Sequence, residues 1–215
     1  MGEVVVLENP VLKELLTKLR DKRTGVGEFR ELLEEVGMYM GYELAKFLPR
    51  EKVVVETPLK VKAEGERIKD EEVVVVGILR AAVPLVIGIL KVLKRAKVGL
   101  VAARRIEDEN AEKHGFKMKV VTGYKALPSS GEILVIADPM LATGSTILAV
   151  LKEIECKKYK EVFILSVIST ELGIKRILEA EPRAKVLTLA IDQKLNKRAY
   201  IVPGLGDAGD RTFGL

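Results

Sequence analysis

Five short, mostly apolar runs at residues 73–79, 98–103, 133–137, 162–168 and 186–191 constrain this chain more than any other feature. Each has strand length and little polar alternation, so each reads as a β-strand covered on both faces. Helical patterns separate several of them, at about 82–93, at about 144–156, and from Thr170 and Glu171 onward. Strands taking turns with helices predict an α/β fold, a mostly parallel sheet flanked by helices. Ligands of such sheets sit beyond the carboxyl ends of the strands, so chemistry is expected in the loops after Leu79, Ala103, Ala137 and Ile191.

The N-terminal region follows a different pattern. Asn9-Pro10 reads as a helix cap followed by proline at the first helical position, and Val11, Leu12, Leu15, Leu16 and Leu19 then form one apolar stripe. A break at Thr24-Gly25-Val26-Gly27 precedes a second helix over about 28–48, with Phe29, Leu32, Leu33, Val36 and Met40 inward and Pro49 as its stop. Residues 1–50 therefore read as a helical preface. Residues 53–55 and 59–63 predict a short two-stranded excursion punctuated by Pro58 and Gly65. The stretch 107–131 starts polar, and the alternation of Phe116, Met118 and Val120 predicts a hairpin, a flexible flap spanning 105–131 over a site. A length of 215 residues, 48% of them hydrophobic, fits one domain over 1–215 without internal repeats.

Several function classes are disfavoured by composition. No apolar run reaches the roughly 18 residues of a membrane span. The first ten residues carry acids rather than a basic segment leading into an apolar one, so a cytoplasmic protein is expected. Cys156 is the lone cysteine, which leaves no intrachain disulfide and no multi-cysteine metal site. The net charge of +5 comes from 36 bases interspersed with 31 acids rather than gathered in one block, which disfavours nucleic acid, and an anionic small substrate is equally compatible with that charge. Gln193 is the lone glutamine and Asn9, Asn110 and Asn196 the three asparagines, a bias of heat-adapted proteins.

The most informative segment is Asp138, Pro139, Met140, Leu141, Ala142, Thr143, Gly144, Ser145 and Thr146, delivered by the apolar strand 133–137. Backbone N–H groups from Ala142 to Thr146, three hydroxyls and the positive end of the following helix can surround a phosphate dianion. Asp138 is placed to accept hydrogen bonds from sugar hydroxyls about one ribose away. The same residues also fit an ordinary turn before a capped helix. Without a Gly-Lys-Ser/Thr ending, the loop is a poor site for triphosphate hydrolysis. Arg80 ends the run 73–79 and reads either as a fork for an anion or as a solvated helix-start arginine. Arg104-Arg105 alone reads more readily as a solvated strand end, and His114 as an exposed loop histidine without a catalytic role. The tail from Asp192 to Gly214 contains Gly204, Gly206 and Gly209, a formal G-x-G-x-x-G, but no strand-to-helix unit surrounds it. Its glycines instead let main-chain donors and acceptors approach a flat ligand. A glycine-rich disordered terminus is the alternative.

Asp138–Gly144, spelled Asp-Pro-Met-Leu-Ala-Thr-Gly, resembles the loop that binds phosphoribosyl pyrophosphate (PRPP) in type I phosphoribosyltransferases, and its spelling resembles the uracil branch. Ala137 stands where most relatives outside that branch carry a second acid, Ser145 where bacterial members have glycine, and Ala82 where many have glycine. The likeness extends to Ile78-Leu79-Arg80-Ala81, to the tail 192–215, and to Leu19-Arg20-Asp21-Lys22, Phe29-Arg30, Gly41-Tyr42-Glu43 and Thr57-Pro58, so it covers nearly the whole chain. It is nearest the archaeal-type members. The resemblance implies the type I phosphoribosyltransferase fold, with N-terminal helices and a β-hairpin flap. It implies the joining of uracil to PRPP, giving UMP and pyrophosphate in pyrimidine salvage.

It further implies that Arg80, Arg105, residues 138–146 and Asp207 bind PRPP, with Arg105 and Asp207 catalytic. Tyr200, Ile201, Gly206, Asp207 and Ala208 would bind uracil, largely through backbone atoms. Mg²⁺ would be carried by PRPP rather than held directly by the protein. A homo-oligomer, dimer or tetramer, is implied, with the apolar N-terminal helices offered as its interface, and nucleotide feedback, GTP included, is compatible with the family. A phosphoribosyltransferase for another base, or a PRPP-sensing regulator that binds nucleic acid, are the competing readings.

Overall fold

The computed structural model describes residues 2–106, 110–128 and 131–215, without the side chains of Arg104, Arg105 and Tyr124. In chain order the elements are β1 (Glu3–Val6), α1 (Pro10–Arg20), α2 (Val26–Ala45), β2 (Arg50–Glu56), β3 (Lys62–Ile68), β4 (Val73–Leu79) and α3 (Val83–Val92). Then follow β5 (Lys97–Arg105), β6 (Val120–Ala126), β7 (Ile133–Ala137), β8 (Met140–Leu141), α4 (Ser145–Glu153), β9 (Glu161–Thr170) and α5 (Glu171–Ala180). β10 (Ala184–Asp192), β11 (Lys194–Leu195), β12 (Ile201–Val202) and α6 (Ala208–Phe213) complete the chain.

The main sheet runs β1-β10-β9-β7-β4-β5-β6, with β8 added to β9. Every pairing is parallel except β5 with β6, an antiparallel hairpin; of the alternating Phe116, Met118 and Val120 only Val120 lies in it, and its partner is the strand β5 rather than a second strand within 107–131. The expected flap thus has β5 and β6 as its stem, while 107–109 and 129–130 of that stretch lie outside the described residues. Successive residues of β4 face opposite cores, as a pleat requires. Val73 and Val75 join Phe29, Leu33, Leu85 and Ile89 beneath α1, α2 and α3. Val74 and Val76 join Ile147, Val150, Ile174 and Ile177 beneath α4 and α5. That two-sided burial explains why these runs lack polar alternation.

Two expectations change. Residues 1–50 are more than a helical preface, because Val4 pairs with Val186 in parallel register and β1 forms the edge of the main sheet. The apolar stripes of α1 and α2 are mostly spent inside the chain, with Leu12, Leu19, Phe29 and Leu33 at 0% exposure, while Val11 stays 40% exposed. The two-stranded excursion exists as the antiparallel β2–β3 pair, but its second strand starts at Lys62, and Leu59 lies in the connecting turn at 84% exposure.

Beyond α5, the buried carboxylate of Glu181 accepts from Arg183 Nε at 2.7 Å and Nη2 at 2.8 Å, and from Cys156 Sγ at 3.4 Å. The Arg183 guanidinium holds the Glu181 carboxyl below the usual carboxylate range. A carboxyl depressed in the folded state stabilises it at neutral pH and releases that stability as pH falls from about 4.5 through the folded value. Thermal melting across pH 2–7 should therefore fall below about pH 4.5, and less steeply in Glu181→Gln. Parallel profiles for the two proteins would remove this pair from the acid response.

Candidate active site

The loops at the carboxyl ends of β4, β5 and β7 and the tail after β11 converge on one cleft of about 1200 Å³. Its floor is the segment between β7 and α4. Gly144 has φ +77°, a left-handed conformation that favours glycine, and α4 starts at Ser145 with ordinary helical geometry. The serine that replaces the family's second glycine thus stands where no glycine is required. Ala82 is equally undemanding, with φ −77°.

The segment's carbonyls are turned into the protein. Ser166 Oγ donates to Asp138 O at 2.6 Å, Val167 N to Pro139 O at 3.0 Å, Thr170 Oγ1 to Ala142 O at 2.6 Å, and Arg176 Nη1 to Thr143 O at 3.0 Å. In a trans peptide the N–H points opposite its carbonyl, so the N–H groups of Thr143 and Gly144 are aimed away from β9 and α5, toward the cleft. Close packing behind the loop depends on Gly173, where a Cβ would stand 2.5 Å from Ala142 O. Thr143 Oγ1 donates to Ser145 Oγ at 2.9 Å, and Ser145 Oγ also accepts from Met118 N at 3.4 Å, which brings the β5–β6 hairpin to the loop's rim. The arrangement is a nest of N–H groups and hydroxyls at a helix start, suited to a phosphate.

Arg80 follows β4 across a cis Leu79–Arg80 peptide, and its half-exposed guanidinium stands 3.4 Å from Asp210. Asp207 caps α6, its Oδ1 accepting from Asp210 N at 3.0 Å. Asn196 Oδ1 accepts from Arg198 N at 2.9 Å and Tyr200 N at 3.0 Å, closing the β11–β12 hairpin and setting Tyr200 and Ile201 at the cleft wall.

Of the residues expected from sequence, the cleft gathers Arg80, Asp138, all of Met140 to Thr146, Tyr200, Ile201 and Asp207. Pro139 lies behind the wall with its carbonyl on β9, Ala208 is buried at the start of α6, and Gly206 is exposed beside the lining. The Arg105 side chain lies outside the described set, although its backbone ends β5 at the cleft side. His114 is exposed and does not line the cleft. Arg198 and Asp210 do line it, and sequence reasoning gave neither a role. Asp210 carried a signal, since it is the third residue after an aspartate cap. Among the described residues no group of three or more His, Cys, Asp or Glu side chains could hold a metal ion.

The family model for uracil phosphoribosyltransferase matches residues 6–215. The chain belongs to the uracil phosphoribosyltransferase family. A curated family member from Sulfurisphaera tokodaii is 46% identical over 212 residues, covering 97% of this chain and 98% of that one. Another from Thermococcus gammatolerans is 44% identical, covering 96% and 91% respectively. A solved structure of an Aquifex aeolicus protein superposes with a TM-score of 0.89 at 33% identity, covering 99% and 98% of the two chains. The adenine phosphoribosyltransferase of Trypanosoma brucei shares the fold at TM-score 0.54 and 12% identity, covering 87% and 82%. Among the described residues, no helix is long and apolar enough to cross a membrane.

Proposed function

We propose that this chain transfers the phosphoribosyl group of PRPP to uracil, giving UMP and pyrophosphate, a salvage step in the cytoplasm. The observation that carries the reading is the meeting, in one cleft, of the phosphate nest at 142–146, Arg80 and the tail residues Tyr200, Ile201 and Asp207. The C1–O bond to pyrophosphate breaks and a C1–N1 bond to uracil forms, so negative charge grows on the leaving group while the ribose becomes cationic. The nest and Asp138 hold the 5-phosphate and the sugar hydroxyls, fixing C1 against the base. Arg80 and Arg105 stabilise the departing pyrophosphate with fixed donors. Asp207 supplies a carboxylate where base and PRPP meet, to take the N1 proton or to order water. Backbone readout suits uracil, because cytosine would set an amino donor where the site expects an acceptor.

Mg²⁺ fits this site as a companion of PRPP. The cleft carboxylates are Asp138, after β7, and Asp207 and Asp210, together at the start of α6, and these would hold the ion alongside the pyrophosphate oxygens. When bound, it neutralises charge on the pyrophosphate. A dimer or tetramer belongs to the same proposal. The apolar side chains left exposed on the β2–β3 hairpin include Val54, Val55 and Val61.

Pyrophosphate release and UMP formation with PRPP, Mg²⁺ and uracil, cytosine, hypoxanthine or orotate test the reading. Turnover with uracil alone is expected. Turnover with another base would overturn the assignment of the tail. PRPP binding without turnover of any base would favour the regulator.

A further inference from the structure

The tail loop that carries the base site is fastened from behind by groups that do not line the cleft. Asp192 closes β10 with its side chain 6% exposed, and Arg20 closes α1. Their pairing is two-pronged, Arg20 Nη2 to Asp192 Oδ1 at 2.6 Å and Nη1 to Oδ2 at 2.8 Å. The same pair takes both polar groups of Gly204. Asp192 Oδ2 accepts from Gly204 N at 2.9 Å, and Arg20 Nη1 donates to Gly204 O at 2.7 Å. Gly204 has φ +66°, and a Cβ there would stand 2.2 Å from Ile201 O. The next carbonyl, Leu205 O, accepts from Arg211 Nη1 at 2.7 Å. Arg211 also donates to the carbonyls of Leu19 and Asp21 and lies 4.3 Å over the Phe29 ring. Two successive residues of the loop are thus tied to the end of α1. Ile201 and Asp207, on either side of the tie, line the cleft, whereas Arg20 and Asp192 do not.

A pocket that reads its ligand through main-chain atoms has no side-chain rotamer with which to correct a misplaced donor. Its donors are only as well placed as the loop that carries them. We infer that Arg20 and Asp192 are positioning residues for the base, holding Gly204 so that the loop meets uracil in register. Most of the PRPP half of the cleft is built on separate elements, β7, α4 and β4, which the clamp does not touch, and of the PRPP groups only Asp207 is carried on the tail. This inference rests on the assignment of the tail as the uracil site. It also gives the buried ion pair a role in specifying one loop geometry, a role that net stability alone does not require.

Arg20→Lys keeps the charge and loses the fork, so a single ammonium cannot hold Asp192 at two points and Gly204 O as well. The expected result is a KM for uracil raised about tenfold, with KM for PRPP and kcat within about twofold, the scale of one lost charge-assisted hydrogen bond. Asp192→Asn, which keeps an acceptor for Gly204 N but removes the charge, should move the same constant in the same direction and serves if the first variant does not fold. Arg183→Lys, which weakens a comparable buried pair remote from the cleft, separates general destabilisation from positioning and should leave both KM values unchanged. A KM for uracil unchanged in both clamp variants, or both KM values rising together, overturns the inference. Absence of uracil turnover in the wild type overturns the function itself, and is read before any variant is made.

Discussion

Arg80→Ala should lower kcat/KM for PRPP by about a hundredfold, the scale on which single transition-state donors are lost. The guanidinium stands at the carboxyl end of β4, 52% exposed, with Asp210 3.4 Å away and the Phe213 ring 5.8 Å away. Both contacts are loose for groups of this kind, since a charge-assisted N–H···O pair closes to about 2.8 Å. An arginine so held gives up little when it turns to pyrophosphate, and it contributes little to the fold, because exposed pairs are worth at most about 1 kcal/mol. The signature is therefore a rate loss at unchanged melting temperature. Arg80→Lys should recover part of the rate, because the charge remains while the fork that matches two phosphate oxygens is lost. Steady-state rates with PRPP varied at saturating uracil check this, alongside thermal melting. A rate within about threefold of wild type would remove Arg80 from transition-state stabilisation. Arg105→Ala is expected to behave alike on the strength of the family pattern.

What could be read from sequence was what the chain makes locally. The strands β4, β7 and β9 announce themselves because both faces are buried, and the phosphate nest because nine consecutive residues build it. β1 escaped notice because only four residues form it, at a sheet edge, and its Val4 and Val6 remain exposed. The clamp was illegible for another reason. Arg20 and Asp192 lie 172 residues apart, and no periodicity records that one will meet the other. The same holds for Arg176, which reaches from α5 to the carbonyls of Gly115 and Phe116 as well as Thr143. Arg198 and Asp210 sat inside a segment already singled out, but which of its side chains would face the cleft depends on the β11–β12 turn at Asn196, a tertiary outcome. An apolar stripe on a helix looks the same whether a second copy or the chain's own sheet covers it, so the burial of Leu12 and Leu33 inside the chain is a tertiary outcome.

Glycines at the α2–α3 crossing carry the other large effect. A Cβ on Gly88 would stand 1.9 Å from Glu34 O and 2.7 Å from Met38 N, and one on Gly37 would stand 2.1 Å from Leu85 O. The two helices thus meet backbone to backbone, each through a glycine of its own. Gly88→Ala gains about 1 kcal/mol of helix propensity. It loses more, because the obstructing atoms are main chain and the helices must separate. Overpacking of this kind costs about 3 kcal/mol, a net loss of about 2 kcal/mol, so the melting temperature should fall by roughly 4–8 °C for a domain of this size. Gly41→Ala is the matched comparison, since its Cβ would meet the Val92 side chain at 3.1 Å, a contact that a small shift relieves. There propensity and crowding nearly cancel, and a change within about 1 kcal/mol is expected. Equal losses at the two positions in denaturant melts would mean that the crossing is not set by backbone contact. The crossing also reaches the site, because α3 begins at Val83, three residues after Arg80. A helix pushed outward at Gly88 carries the anion-binding turn with it, and KM for PRPP should rise in Gly88→Ala while it stays at the wild-type value in Gly41→Ala.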